Sequence, residues 1–390
     1  MNKDIKKLLV AQFMTAMGDN AILFVAVAMV MQGSLQGDWY VPALQGCFLI
    51  AFVVLAPWVG TFADTHAKPR VLMLANIIKG MGALLLLLGV EPLIAYAVVG
   101  MGAATYSPAK YGILPELIHD DKGLMKGNGW IEGSTIVAIL LGTVVGAKIA
   151  DYSVQVALYF VLSLYVLSAI VAMLMSNLPA AHKKEMKGAL GSFKVTMITL
   201  MSNPKARFST LGVSLFWASA VSLRLIIIIW APVVLLLSTT EDISLLSVFI
   251  ALGIACGAML APRLIPMHQL RRVRFAAYAL GLSILALMLV DDVNIARGLL
   301  FIAGLCGGLF VVPVNAVLQD IGHKSVGSGH AVAVQHFFEN LAMLTATGIY
   351  TFAVSMEVAA TTSMMGLGLF ILVATMLIAR NLPDDEVKQE

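Results

Sequence analysis

Apolar residues in this chain run in long, nearly unbroken stretches. They neither alternate at the period of a strand nor keep to one stripe of a surface helix. A helix that crosses a bilayer needs about 20 predominantly apolar residues. Twelve such runs can be read, at 8–32, 41–63, 71–90, 92–113, 127–150, 154–177, 208–237, 243–265, 275–291, 295–318, 329–354 and 358–380. The pattern predicts an all-α polytopic membrane protein with twelve transmembrane helices. Most gaps between runs are short. The exception carries Pro179, His182, Lys183, Lys184, Lys187, Lys194, Pro204 and Lys205. It divides the chain into an N-terminal six-helix bundle (1–177), a basic linker (178–207), a C-terminal six-helix bundle (208–380) and a tail (381–390).

Composition supports the bilayer as solvent. Only 12% of the 390 residues are charged, about half the share of an ordinary soluble domain. The net charge of +3 is too small to argue for nucleic acid. Where the charges fall is more telling, because Lys and Arg accumulate in cytoplasmic loops. Lys3, Lys6, Lys7, Lys68, Arg70, Lys122, Lys126, the linker, Arg263, Arg271, Arg272, Arg274, Lys324, Arg380 and Lys388 fall on one side. Asp38, Glu91, Asp151, Glu241, Asp242, Asp291, Asp292 and Glu357 fall on the other, with Arg297 as the only cation. That segregation predicts an even number of spans with both termini in the cytoplasm. The first apolar run is too long for a signal-peptide core and ends at no small-residue cleavage site.

The halves repeat at an offset near 205 residues. Ala104–Lys110 lies over Leu309–Asn315, Asp19 over Arg224, and Glu132 near Glu339 at an offset of 207. Parallel six-helix repeats are the plan of major facilitator transporters, whose substrate path runs between the halves. The stretch Gly60-Thr-Phe-Ala-Asp64-Thr-His-Ala-Lys68-Pro69-Arg70 resembles the G-x-L-A-D-x-x-G-R-x-R loop of that superfamily, departing from it at Phe62 and Ala67. In such a loop glycine lets helices approach closely, and the carboxylate and cations of Asp64, Lys68 and Arg70 can latch helix ends and cap their dipoles.

Charges inside the spans call for a further explanation. Each costs about 2.5–3.5 kcal/mol at the bilayer centre, so Asp19, Lys79, Arg224 and Glu339 left facing lipid would together cost roughly 10–14 kcal/mol. They are expected to face one another or a wet cavity. Gln12, Thr15 and Asp19 share a helix face by their spacing, as do Trp217, Val221 and Arg224, and Gln335 pairs with Glu339 at i, i+4. On a major facilitator plan Asp19 and Arg224 would confront each other across the cavity. The alternative is a buried salt bridge that only holds the halves together. Lys110, Glu132 and Lys148 lie nearer span ends, where snorkelling lowers the cost, and a structural or interfacial role is expected for them. His336, at i, i+4 from Asn340, is expected to be a packing histidine. Gly142 and Gly146 form a GxxxG step for close helix packing.

Cys47, Cys256 and Cys306 show neither CxxC nor metal spacing and read as small core residues. There is no Walker loop, HExxH or GxSxG, and no nucleophile–base pattern. Neither an enzyme nor a cofactor or metal is expected.

Five stretches carry a more specific likeness: Ala11-Gln-Phe-Met-Thr-Ala-Met-Gly-Asp19-Asn20-Ala, Tyr106-Ser-Pro-Ala-Lys110-Tyr-Gly-Ile-Leu114, Ser214 through Arg224, Val311-Val-Pro313-Val-Asn315-Ala, and Ala333-Val-Gln335 through Glu339-Asn340. In these the chain resembles bacterial lysophospholipid transporters of the major facilitator superfamily. The resemblance implies flipping of lysophosphatidylethanolamine, with lysophosphatidylglycerol as a further candidate, from the outer to the inner leaflet of the bacterial inner membrane. There a separate acyltransferase/acyl-carrier-protein synthetase would reacylate it, and the transporter would work as a monomer. On this reading Arg224 takes the phosphate, Asp19 and Glu339 take the ammonium or pair with Arg224, and Lys110 guides the phosphate out. Asn20, Gln335 and Asn340 join the substrate-binding set. The runner-up is a proton-coupled exporter of drugs or small metabolites, with Asp19 or Glu339 titrating.

Overall fold

The computed structural model describes residues 3–32, 40–176, 188–237, 240–380 and 382–383. Among them are eleven helices of at least 20 residues and a twelfth, α9, that reaches spanning length only with the turns on either side of it. In chain order they are α1 (Lys3–Gln32), α2 (Tyr40–Thr65), α3 (Lys68–Leu87), α4 (Pro92–Gly112), α5 (Asp121–Tyr152), α6 (Val154–Met173), α7 (Pro204–Val234), α8 (Thr240–Leu264), α9 (Val273–Ala286), α10 (Val293–Ser325), α11 (Ser328–Ser355) and α12 (Ala360–Ala379). The turn Met267–Arg272 leads into α9, which tightens at Leu287–Leu289. Ten of these segments are apolar enough to be recognised as spans by composition. The other two, α4 and α11, are as long but carry Thr105, Tyr106 and Lys110, and Gln335, His336, Glu339 and Asn340.

Helix starts are written in the local sequence. Pro92 and Pro204 sit at first helical positions, where a missing N–H costs nothing. Glu91 accepts from the Ile94 amide at 3.1 Å, and Asn203 accepts from the amides of Lys205 and Ala206 at 3.0 and 3.1 Å. Ser153 caps α6 through the Val156 amide.

Two expectations are corrected here. The segment 178–207 is not all linker: Ala189–Ser202 is a helix, with Ala189, Thr196 and Leu200 on its buried face. Lys183, Lys184 and Lys187, in the remainder of that linker, and Lys388 in the tail lie outside the described residues, as does Asp38. Helix α5 begins at Asp121, six residues before the apolar run does. Glu132 is therefore three turns inside a helix, not near an end.

The described chain forms two compact units. One comprises residues 1–119, 137–200 and 319–337; the other comprises 120–136, 201–318 and 338–390. The first packs Ile22, Val25, Leu44, Leu86, Tyr96 and Tyr165 into its core. The second packs Leu223, Ile227, Trp230, Leu246, Ile284 and Leu300. Large apolar residues remain on the outside of both, such as Met81, Ile170, Phe275 and Leu282. In lipid there is no hydrophobic drive to hide such side chains, so close packing of small residues holds the helices together. A Cβ on Gly146 would lie 2.6 Å from the Ala21 Cα. The GxxxG step of α5 thus packs directly on the backbone of α1.

Candidate functional site

In the first unit a chain of polar side chains links α1, α3 and α6. The Lys79 ammonium is fully buried and donates to Asp19 Oδ2 at 2.7 Å and to Thr15 Oγ1 at 2.9 Å. Thr15 donates to Asn76 Oδ1 at 2.7 Å, Asn76 donates to Ser168 Oγ at 3.0 Å, and Ser168 donates to the Ala11 carbonyl at 2.8 Å. The Tyr165 hydroxyl donates to the second carboxylate oxygen of Asp19 at 3.0 Å. Lys79 also sits 4.8 Å over the Tyr106 ring, a placement that favours the cation. Asp19 keeps 18% of its side chain exposed, while Lys79 keeps 1%. The pair is thus open on its acidic side only. Asn20 spends its amide on the Ala16 carbonyl.

Of the other three intramembrane charges named from the sequence, Lys79 is the partner that Asp19 holds. The signal was spacing. Asn76 and Lys79 lie three residues apart on α3, Tyr165 and Ser168 three apart on α6, and Thr15 and Asp19 four apart on α1. Each pair therefore shares a face. Tyr165, Asn76 and Ser168 are functional candidates that a search for charges alone passes over.

A second cluster gathers on Asp64, which has no exposed surface. Its oxygens accept the backbone amides of Gly329 at 2.8 Å and His330 at 2.9 Å, and Oδ2 lies 2.6 Å from His330 Nδ1. The first turn of a helix has amides with no partner within the helix and a positive dipole end. Asp64 satisfies both at the start of α11. Lys68 lies 3.7 Å from Asp64 and bonds Glu116. His330 Nε2 meets Thr61 at 3.1 Å, and Ser328 donates to the Gly112 carbonyl at 3.1 Å. A Cβ on Gly60 would come 2.8 Å from that of Ala333, so glycine is what lets α2 approach α11 here. Of the residues expected to form a latch, Gly60, Asp64 and Lys68 are in this cluster. Arg70 is exposed and makes none of these contacts. Glu116 and His330 join it from outside the motif, and Thr61 from an unspecified position within it.

Lys110 is buried, with its ammonium 4.1 Å over the Tyr111 ring. Lys110 thus lies against protein near the end of α4. Lys148 is exposed, as snorkelling requires. Gln335 is buried, and His336 packs 5.8 Å from the rings of both Phe52 and Tyr111.

In the second unit Glu132 is buried and accepts from Asn315 Nδ2 at 3.1 Å. Glu339 and Asn340 are buried on α11. Arg224 is exposed on α7, on the same open face as Trp217 and Val221, while Ser222, Leu223, Ile226 and Ile227 around it are buried. The fork of a guanidinium matches the oxygens of a carboxylate or a phosphate.

The profile described as Major Facilitator Superfamily matches residues 8–347. The fold agrees with that of the Escherichia coli fucose:proton symporter, with a TM-score of 0.78 at 12% identity over 97% of this chain and 98% of that one. The chain therefore belongs to the major facilitator superfamily. Relatives at much higher identity narrow this. A lysophospholipid transporter (LplT) of Photorhabdus laumondii is 39% identical over 94% of this chain and 93% of its own length. One of Klebsiella pneumoniae is 41% identical over 96% and 94%. Within the superfamily, the chain is a member of the LplT family.

Proposed function

We propose that the chain flips lysophospholipids, lysophosphatidylethanolamine above all, from the outer to the inner leaflet of the bacterial inner membrane by alternating access. The relatives' shared name supports the substrate class. The observation in the molecule that carries the reading is Arg224, an exposed guanidinium and the one charge on α7 beyond Arg207. Its planar fork suits a phosphate diester bidentately, and a lysine in its place would supply only a point charge. Asp19 and Glu339 receive the ammonium. Asp19 does so from its exposed side, since each of its oxygens keeps a lone pair beyond the bonds to Lys79 and Tyr165. Asn20, Gln335 and Asn340 complete the head-group set, and Lys110 leads the phosphate toward the cytoplasm.

On this reading the Asp64 cluster, with Gly60 and Lys68, is the latch that one conformation forms and the other releases. Two six-helix bundles, 1–177 and 208–380, move as the working halves. Both termini face the cytoplasm, the chain acts as a monomer, and an inner-membrane acyltransferase consumes the delivered lipid.

The test is uptake of labelled lysophosphatidylethanolamine by spheroplasts lacking their own transporter. Wild type should restore uptake with or without an uncoupler. Arg224→Ala should abolish it, and Arg224→Lys should retain a tenth or less, the ~1.4 kcal/mol of one lost charge-assisted hydrogen bond. Normal uptake by well-expressed Arg224→Ala would refute the phosphate assignment, and collapse with the uncoupler would favour a proton-coupled carrier.

A further inference from the structure

The second unit contains a cavity of about 720 Å³ bounded by α7, α11 and α12. It is separate from the face that bears Arg224. The cavity stripe on α7 includes Ser222 and Ile226. Arg224 is two residues from each, which puts it on the opposite side of the helix.

The chemistry of the lining selects hydrocarbon. None of the lining residues is charged, so a head group finds no complement there. Six hydroxyls line it: four are spent within the protein, and Ser363 Oγ is buried without a hydrogen-bond partner. Ser214 donates to the Thr210 carbonyl at 2.8 Å, Ser219 to Leu215 at 2.6 Å, Thr345 to Leu341 at 2.8 Å, and Tyr350 to Leu225 at 3.3 Å. A buried water needs two to four polar partners, and this wall offers few. Ile349 and Phe370 line the cavity while being 66% and 58% exposed, so its mouth is apolar and opens outward.

Its length selects which hydrocarbon. The lining on α7 runs from Leu211 to Ile226, a rise of about 22 Å at 1.5 Å per residue. One leaflet of the hydrocarbon core is about 15 Å deep. A phospholipid resident in one leaflet needs no more than that depth. A groove longer than one leaflet suits a chain that changes leaflet.

We infer that this cavity is the track for the single acyl chain of the transported lysolipid. This rests on the transport reading above. It adds a chain-binding site to the head-group site and makes chain length a determinant of transport.

The experiment uses purified full-length protein in proteoliposomes and compares stearoyl- with octanoyl-lysophosphatidylethanolamine. Gly366 lines the cavity, and a Cβ added there meets nothing within 4 Å, so Gly366→Phe fills the space without disturbing the helix. Ala346→Phe fills it from α11. Each variant should lose about tenfold in kcat/KM for the stearoyl lipid, the equivalent of about two methylenes left unburied. For the octanoyl lipid each should lose less than about twofold on the same scale. Equal losses for both lipids, or no loss for either, would overturn the proposal while leaving wild-type transport intact. Wild type that moves neither lipid would instead remove the transport reading itself.

A second arm photolabels wild type with a lysolipid bearing a diazirine at the chain end. Labelling of the Phe338–Ala353 and Val358–Ile378 segments, competed by unlabelled lysolipid, supports the track. Labelling there by a diacyl analogue that lysolipid does not displace identifies a resident phospholipid and overturns it.

Discussion

At the scale of single residues, Lys79 and Asp19 answer how charges survive in the bilayer. Each alone would cost about 2.5–3.5 kcal/mol at the centre of a span. Placed 2.7 Å apart they neutralise each other, and Thr15 and Tyr165 take up remaining donors and acceptors. Breaking a buried pair by removing one partner leaves the other charge uncompensated, typically at about 3–5 kcal/mol, whereas removing both is nearly neutral. Partial exposure of Asp19 puts this pair at the low end. Lys79→Met should therefore lower the apparent melting temperature in detergent by several degrees, and Asp19→Asn/Lys79→Met should recover most of it. A double variant no more stable than the worse single would show that the pair is not what keeps these charges compatible with the fold. The sequence exposed all the charged members of this site but could not rank their pairings. Asp19 and Lys79 are 60 residues apart, and only the packing of α1 on α3 decides which cation Asp19 meets.

At the scale of elements, the start of α11 is held by a residue 265 positions away. Asp64 takes two of its first-turn amides and the His330 imidazole together. Asp64→Asn keeps one acceptor but turns an NH2 toward a backbone N–H, leaving a buried donor unsatisfied at about 1–3 kcal/mol. Gly329→Ala strikes the same contact from the other side, because its Cβ would sit 2.7 Å from Asp64 Oδ1. If the cluster is a latch that opens during transport, both variants should change kcat for lysolipid uptake several-fold with KM little altered. A change in KM alone would mean that the cluster supports the binding site instead. The motif was legible in sequence as far as Gly60, Asp64 and Lys68. Glu116 and His330 were not, because a loop pattern carries no information about which distant helix end will arrive there. The limits of α5 were hidden for a related reason. A hydropathy window sees the apolar run from 127 but not the helix that begins at Asp121, so Glu132 looked peripheral when it is buried. The Ala189–Ser202 helix was likewise concealed among lysines that read as linker.

At the scale of the whole molecule, the helix ends observed in the structure set basic and acidic junctions in alternation, with Arg297 on the acidic side and Glu116, Asp120 and Asp121 beside Lys122 as exceptions. The junction of α2 and α3 carries Lys68 and Arg70; the next, before α4, carries Glu91; the next carries Lys122 and Lys126 at the start of α5; and the next, before α6, carries Asp151. The alternation resumes with Asp242 early in α8, Arg271 and Arg272 before α9, Asp291 and Asp292 before α10, Lys324 before α11, Glu357 before α12 and Arg380 at its end. Because positive charge holds loops in the cytoplasm, one helix more or fewer in either half would place acids and bases on the same side. Sidedness is therefore a test of the count. In a variant with Cys47, Cys256 and Cys306 replaced by alanine, single cysteines can be placed at exposed Asp151, Asp291, Lys122 and Arg380. A membrane-impermeant maleimide should label Asp151→Cys and Asp291→Cys in intact spheroplasts, and Lys122→Cys and Arg380→Cys only after permeabilisation. Reversed labelling would invert the topology and put the latch outside the cell. Labelling of Asp151→Cys together with Lys122→Cys in intact cells would mean that α5 does not cross the membrane, and the twelve-span reading would fail with it.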